Sequence, residues 1–195
     1  MLIRVIPLGP VSLFLNELKT GDVISFRGPT GATMTPRGNF SEIILIATGV
    51  GMSPFCSLIP TLLNGGYQTP ISLYWGLRCR DDICLTESLD VLAKNHSSFS
   101  YCISLSQPPE DWHGLRGRVT ETFPRFPATI RDKLFYLSGN GAMIAEMSNA
   151  LAAFGITQSQ IFEEYFFNLK YKPTWEDVQK ICARFTAEDA AILFD

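Results

Sequence analysis

From Ser41 onward, short apolar runs alternate with stretches whose apolar residues recur at helical spacing, and glycine-bearing turns separate them. The runs Ile43–Ala47, Ile71–Trp75, Phe99–Leu105, Leu134–Leu137 and Gln160–Glu164 are predicted strands. Between them Pro54–Leu63, Thr86–Lys94 and Ala142–Phe154 are predicted helices. The first of these runs out at Asn64-Gly65-Gly66 and the last at Gly155, where glycine relieves the left-handed turn that closes a helix. The stretch Ser106–Arg131 is rich in proline, glycine and charge and reads mostly as loop. Repeated strand–helix units with short apolar strands predict an α/β fold: a five-stranded parallel sheet with helices on both faces.

The pattern differs at both ends. Leu2–Pro7 reads as a strand, Gly9-Pro10-Val11-Ser12 as a turn into a helix over Leu13–Leu18, and Val23–Arg27 as a second strand before the break at Gly28-Pro29-Thr30-Gly31. Two strands and one short helix cannot close a core of their own. Residues 1–38 therefore read as the end of a domain, 39–167 as the α/β domain, and 168–195 as a helical extension. In that extension Thr174 with Asp177 resembles a capping box, and Val178, Ile181, Cys182 and Phe185 follow at helical spacing.

The densest chemistry lies at Thr48-Gly49-Val50-Gly51-Met52-Ser53-Pro54, where a buried strand meets a helix. Ser53 reads as the cap and Pro54 as the first helical residue, a position where its missing N–H costs nothing. Strand, glycine turn and helix start place backbone amides and the positive end of a helix dipole together, which suits a phosphate. Pro54 stands where the common dinucleotide fingerprint has its third glycine, and no Gly-Lys-Ser/Thr follows, so neither the Rossmann nor the P-loop pattern applies. In parallel sheets ligands gather beyond the carboxyl ends of the strands. Thr48–Ser53, Gly76–Arg80, Ser106–Gln107 and Gly139–Gly141 all fall there.

Composition narrows the field. The 195 residues are 46% apolar, with a net charge of −3 and scattered basic residues, which argues against a nucleic-acid partner. No apolar run reaches the roughly 18 residues of a membrane span, and Met1–Pro7 lacks the layout of a signal peptide. The five cysteines are an odd count with no Cys-x-x-Cys spacing, so no metal site is expected and reduced thiols in a cytoplasmic protein are. A hydrolase reading fails too, because Gly51-Met52-Ser53-Pro54-Phe55 lacks the second glycine of a nucleophile elbow and neither His96 nor His113 is placed as its base.

Taken in order, these segments resemble the ferredoxin–NADP reductase superfamily of flavoprotein reductases. Ala47–Phe55 is similar to that family's Gly-Gly-Thr-Gly-Ile-Ala/Thr-Pro loop, with Thr48 and Val50 in place of a glycine and a threonine. Tyr74-Trp75-Gly76-Leu77-Arg78 resembles its aromatic-Gly-x-Arg segment, and Ser104-Leu105-Ser106 with Trp112-x-Gly114 and Gly117-x-Val119 resembles the segment after the third strand. Leu137-Ser138-Gly139-Asn140-Gly141-Ala142-Met143 resembles Cys-Gly-Pro-x-x-Met, and Ile161–Phe166 resembles the closing Ile-x-x-Glu-x-Phe. Upstream, Gly9–Ser12 resembles the helix start that holds flavin phosphates, and Gly28–Gly31 the end of the flavin barrel.

The resemblance implies a reductase that moves hydride from NADH or NADPH to FAD, with electrons passed on to a protein or small-molecule acceptor. It implies that Ser138 and Glu164 lie beside the nicotinamide. Thr48, Gly49, Val50, Gly51, Met52, Pro54, Arg78, Ser106, Gly139, Asn140 and Met143 would hold the pyridine nucleotide, and Gly9, Val11 and Ser12 the flavin phosphates. Three departures stand out. The family's Arg-x-Tyr-Ser/Thr flavin motif belongs to a barrel strand upstream of the matching region, Ser138 replaces the family's cysteine, and 28 residues follow Phe167. NADPH users of the family carry Ser-Arg after the third strand, where this chain has Ser106-Gln107. That favours NADH, with Arg116 and Arg118 as the nearby substitutes for the missing charge. The competing reading is a non-catalytic nucleotide-binding or interaction module that has lost the flavin site. An incomplete barrel would also favour self-association.

Overall fold

Strand β1 (Glu42–Thr48) shows why a continuous apolar run is required at the centre of this sheet. Ile43, Leu45 and Ala47 enter one core while Ile44 and Ile46 enter another on the opposite face. A strand covered on both sides has no position left for a polar residue. The computed structural model describes residues 2–5, 9–25, 40–123 and 130–167. These fall into two compact units, 3–25 in one and Leu2 with 40–167 in the other.

The larger unit is the expected α/β domain. To β1 are added β2 (Ile71–Leu77), β3 (Phe99–Leu105), β4 (Leu115–Arg116), β5 (Lys133–Asn140) and β6 (Ile161–Phe167), all parallel, in the order β4-β3-β2-β1-β5-β6. Helices α2 (Phe55–Asn64) and α3 (Thr86–Asn95) cover one face through Phe55, Ile59, Leu62 and Leu89. Helices α4 (Val119–Thr122) and α5 (Gly141–Ala153) cover the other through Val119, Met143, Ile144, Met147 and Leu151. The order reverses between β1 and β5: the chain leaves β1 towards β2–β4 and returns to build β5 and β6 on the other side.

The sheet has six strands where the hydrophobic pattern predicts five. The sixth, β4, is two residues long, exposed, and paired with Ser104 and Leu105. A two-residue strand carries no period, and it sits with α4 inside the stretch read as loop. The helix after the glycine loop also begins differently. Gly49–Met52 is a 3-10 turn, Pro54 rather than Ser53 is the cap of α2, and Pro54 makes no side-chain capping bond.

The smaller unit holds α1 (Pro10–Glu17), which starts three residues before the predicted Leu13. Pro10 directly follows Gly9 and presets the helical φ, so the apparent turn is the helix start itself. The strand expected over Leu2–Pro7 is not formed at 2–5, nor the one over Val23–Arg27 at 23–25. Among the described residues no strand ladder includes them, and a segment without a paired strand is not a strand. The helix predicted in 168–195 lies outside the described residues.

Two polar clasps tie the elements of the larger unit. At the amino end of the sheet the Glu42 carboxylate takes Ser72 Oγ from β2 at 2.6 Å and the Lys133 ammonium from β5, joining three neighbouring strands. On the α3 side Tyr101 of β3 donates its hydroxyl to Asp90 Oδ1 at 2.5 Å. Burial, and after it the bond to Asp90, push the Tyr101 hydroxyl from 10.0 up to about 12. The proton is held more tightly in the folded chain, so this contribution is whole below the unfolded value and is lost as pH rises towards 12. Urea midpoints measured along the alkaline limb should fall less steeply in Tyr101→Phe. The part due to Cys102, raised by burial from 9.0 to about 11, should remain.

Candidate functional site

The reversal of strand order opens a crevice at the carboxyl ends of β1 and β5, where a parallel sheet offers its ligand position. One wall is the turn Gly49–Met52 with Ser53 and Pro54; the other is Ser138-Gly139-Asn140 and the start of α5. The walls touch through backbone. A Cβ placed on Gly51 would lie 2.3 Å from the Ser138 carbonyl oxygen and 2.6 Å from Gly139 Cα. One on Gly139, whose φ is +128°, would lie 2.4 Å from Thr48 Oγ1 and 2.7 Å from the Thr48 carbonyl oxygen. Gly51 is therefore fixed by closeness alone, and Gly139 by closeness as well as by conformation.

Hydrogen bonds hold the walls in place. The Asn140 N–H donates to Thr48 Oγ1 at 2.9 Å across the crevice, and the Asn140 side chain accepts from the Ala142 N–H at 2.8 Å, capping α5. The Ser53 N–H closes the turn onto the Val50 carbonyl at 2.9 Å. From below, the buried Trp75 of β2 donates its indole N–H to the Gly49 carbonyl at 3.0 Å. In the sequence Trp75 is legible as a strand end and as part of an aromatic-glycine motif, not as an anchor for the glycine loop. The signal for its role is general: an indole N–H on a buried strand end needs an acceptor.

The remaining predicted residues divide. Ser138 and Glu164 are direct neighbours in the β5–β6 register, on the same sheet face. Ser138 is fully buried and its hydroxyl has no hydrogen-bond partner, while Glu164 is half-buried. Glu163, on the opposite face, accepts from Ser148 Oγ of α5 and from the Tyr165 hydroxyl at 3.0 Å, which locks the end of β6. Arg78 and Ser106 are exposed at the adjoining ends of β2 and β3, whose exit loops are joined by Ser106 N–H to the Leu77 carbonyl and Gln107 N–H to the Arg78 carbonyl. Met52 and Met143 are packed into the cores on opposite faces, so their side chains brace the site from beneath. Gly9, Val11 and Ser12 lie in the smaller unit, where the Ser12 hydroxyl donates to the Gly9 carbonyl at 3.0 Å and Val11 is exposed.

The substitutes for a 2′-phosphate charge fare unequally. Arg116 spends one guanidinium nitrogen on the carbonyls of Pro109, Glu110 and Trp112, at 3.1, 2.6 and 2.8 Å, so it is a loop tie and not a spare cation. Arg80 is paired with Asp111 at 2.8 Å, and its hydrogen bond holds the Asp111 carboxyl below the usual range. Arg118 opens α4 and gives its backbone N–H to the Glu121 carboxylate. Among the described residues no group of His, Cys, Asp or Glu is assembled for a metal, and no helix is long and apolar enough to cross a membrane.

A family model for the oxidoreductase NAD-binding domain matches residues 45–149. Over 168 residues the chain is 33% identical to NADH-cytochrome b5 reductase 1 of Aspergillus clavatus, which is 82% of this chain and 54% of that protein. The chain thus spans about half the length of the curated relatives it matches. Among solved structures, the cytochrome b5 reductase domain of Ulva prolifera nitrate reductase aligns with a TM-score of 0.65 at 22% identity, covering 81% of this chain and 66% of that one. A ferredoxin NADP+ reductase from Neisseria gonorrhoeae with bound FAD and NADP aligns with a TM-score of 0.65 at 19% identity, covering 84% and 72%. These two establish a shared fold.

Proposed function

The chain belongs to the oxidoreductase NAD-binding domain family, within the ferredoxin–NADP reductase superfamily, and on that premise we propose that it delivers hydride from NADH to a flavin, from which electrons pass to an onward acceptor. The observation that carries the reading is the crevice at the strand reversal, whose two walls leave no room for a Cβ at Gly51 or Gly139. A backbone-lined slot of this kind suits a pyrophosphate. Residues 39–167 are the nucleotide domain in this reading, and 1–38 the last part of a flavin-binding barrel.

The two cofactors, when bound, supply hydride and its acceptor; the chain supplies position and a dry setting. The turn over Gly49–Met52 would offer backbone amides to the pyrophosphate, the Ser53 N–H being spent on the Val50 carbonyl, with Asn140 and the start of α5 opposite. Arg78 and Ser106 stand at the next strand ends, where a ribose would lie. Ser138 would border the nicotinamide from the sheet, its buried hydroxyl still lacking a partner, and Glu164 would stand beside it. For the flavin, Gly9, Val11 and Ser12 at the start of α1 fit a phosphate. The NADH-cytochrome b5 reductases among the relatives favour NADH and a protein acceptor. So does Gln107, which has no charge to offer a 2′-phosphate while Arg116 is tied to its loop. The exposed Val11, Phe14 and Val23 of the smaller unit support self-association, and the free Cys56, Cys79, Cys84 and Cys102 support a cytoplasmic setting.

The test is a titration of the purified chain with NADH and NADPH, beside its visible spectrum before and after anaerobic NADH. NADH should bind at least about tenfold more tightly, and Gln107→Arg should narrow that gap by about tenfold by restoring a fork for the 2′-phosphate. A flavin spectrum that bleaches supports the reductase. Nucleotide binding by a colourless protein supports the non-catalytic module instead, and binding of neither nucleotide would sink both.

A further inference from the structure

We infer that Thr48 is a positioning residue: it sets the gap between the two walls of the nucleotide crevice through Asn140, without touching the nucleotide. The inference rests on the reading that this crevice takes NADH. The β1–β5 ladder ends at the pair Ala47 and Ser138. The paired register of the two strands stops there. The Thr48 side chain adds the next rung, accepting the Asn140 N–H at 2.9 Å. Because the Asn140 carboxamide also caps α5, one residue is held from two sides, and the start of α5 is fixed relative to the end of β1.

Two further observations make the contact a built one. The Thr48 hydroxyl fills the space that a side chain at position 139 would need, 2.4 Å from a Cβ placed there, so Gly139 and Thr48 fit each other. A β-branched side chain on a strand has few χ1 choices, so the oxygen is delivered with little loss of freedom. The motifs these segments resemble have glycine in place of Thr48 and proline in place of Asn140. Neither could make this bond: glycine has no hydroxyl and proline no N–H. The two departures supply the acceptor and donor of one contact, which explains why the loop's hydroxyl stands at 48 and not at 50.

Thr48→Val replaces the hydroxyl by a methyl of the same shape, Thr48→Ser keeps the hydroxyl, and Thr48→Ala guards against a valine that packs badly. NADH affinity is read by fluorescence titration of the full chain, and exchange of the Asn140 amide by NMR without ligand. In Thr48→Val and Thr48→Ala, exchange of Asn140 should speed up about tenfold or more and the NADH dissociation constant should rise about tenfold. Thr48→Ser should stay within about twofold on both. Weaker NADH binding with Asn140 exchange unchanged would make Thr48 a direct ligand and overturn the inference. Unchanged values on both readouts would overturn it as well. An unaltered chain that fails to bind NADH defeats the nucleotide reading itself, a failure told apart because the exchange comparison needs no ligand.

Discussion

Alanine at Gly139 should cost roughly 2–6 kcal/mol and abolish NADH binding, the largest effect of any single methyl in the domain. Two penalties add there. The φ of +128° is one that an L side chain rarely adopts, and the new Cβ would stand 2.4 Å from Thr48 Oγ1 and 2.7 Å from the Thr48 carbonyl oxygen. Backbone cannot yield as a flexible side chain can, so β5 must pull away from β1 where the nucleotide would lie. Gly51→Ala should follow closely, because its Cβ meets the Ser138 carbonyl at 2.3 Å without an unfavourable φ. Gly49→Ala is the control. Its φ of +52° is left-handed, yet nothing lies within 4 Å, so about 1–2 kcal/mol is expected and NADH should still bind. Urea unfolding with NADH titration across the three variants checks the order. If Gly49→Ala were as damaging as Gly139→Ala, closeness of the walls would not be the cause.

Trp75→Ala should cost about 3–5 kcal/mol, as expected for emptying a large core site. Trp75 is 1% exposed and lies within the core beneath α2 and α3. Trp75→Phe separates packing from anchoring. It keeps most of the ring but leaves the Gly49 carbonyl without its indole donor, worth about 1 kcal/mol. The phenylalanine variant should therefore stay folded and bind NADH more weakly, while the alanine variant should be lost to stability first. Equal NADH affinity in Trp75→Phe and the unaltered chain would remove the anchoring role.

What could be read in the sequence divides along physical lines. The central strands were legible because burial on both faces demands unbroken apolar runs, and β1, β2, β3, β5 and β6 each lie on a predicted run. The glycine loop was legible because Gly49 and Gly51 serve a backbone that must turn and approach. By contrast β4 is two residues long, and Glu42 looks like any strand-edge carboxylate until Ser72 and Lys133 are brought to it. Arg116 could not be told from a free cation, since its three carbonyl partners exist only once the loop closes. Thr48 lies within the glycine-loop motif, but its hydrogen-bond partner is 92 positions away, and no local pattern encodes such a pairing.

That separation has a bearing on how the domain is made. The crevice has one wall at the end of β1 and the other at the end of β5, and the clasp from Glu42 to Lys133 joins the same two strands at their opposite ends. On the ribosome, the first three strands can emerge and pair while the site does not yet exist in any form. Non-local parallel pairings of this kind are slow to close, since the loop entropy must be met before the contacts reward it. Completion of the sheet and birth of the binding slot are then one event. A nascent chain halted before Asn140 should gain no protection from NADH, however much of its sheet has formed.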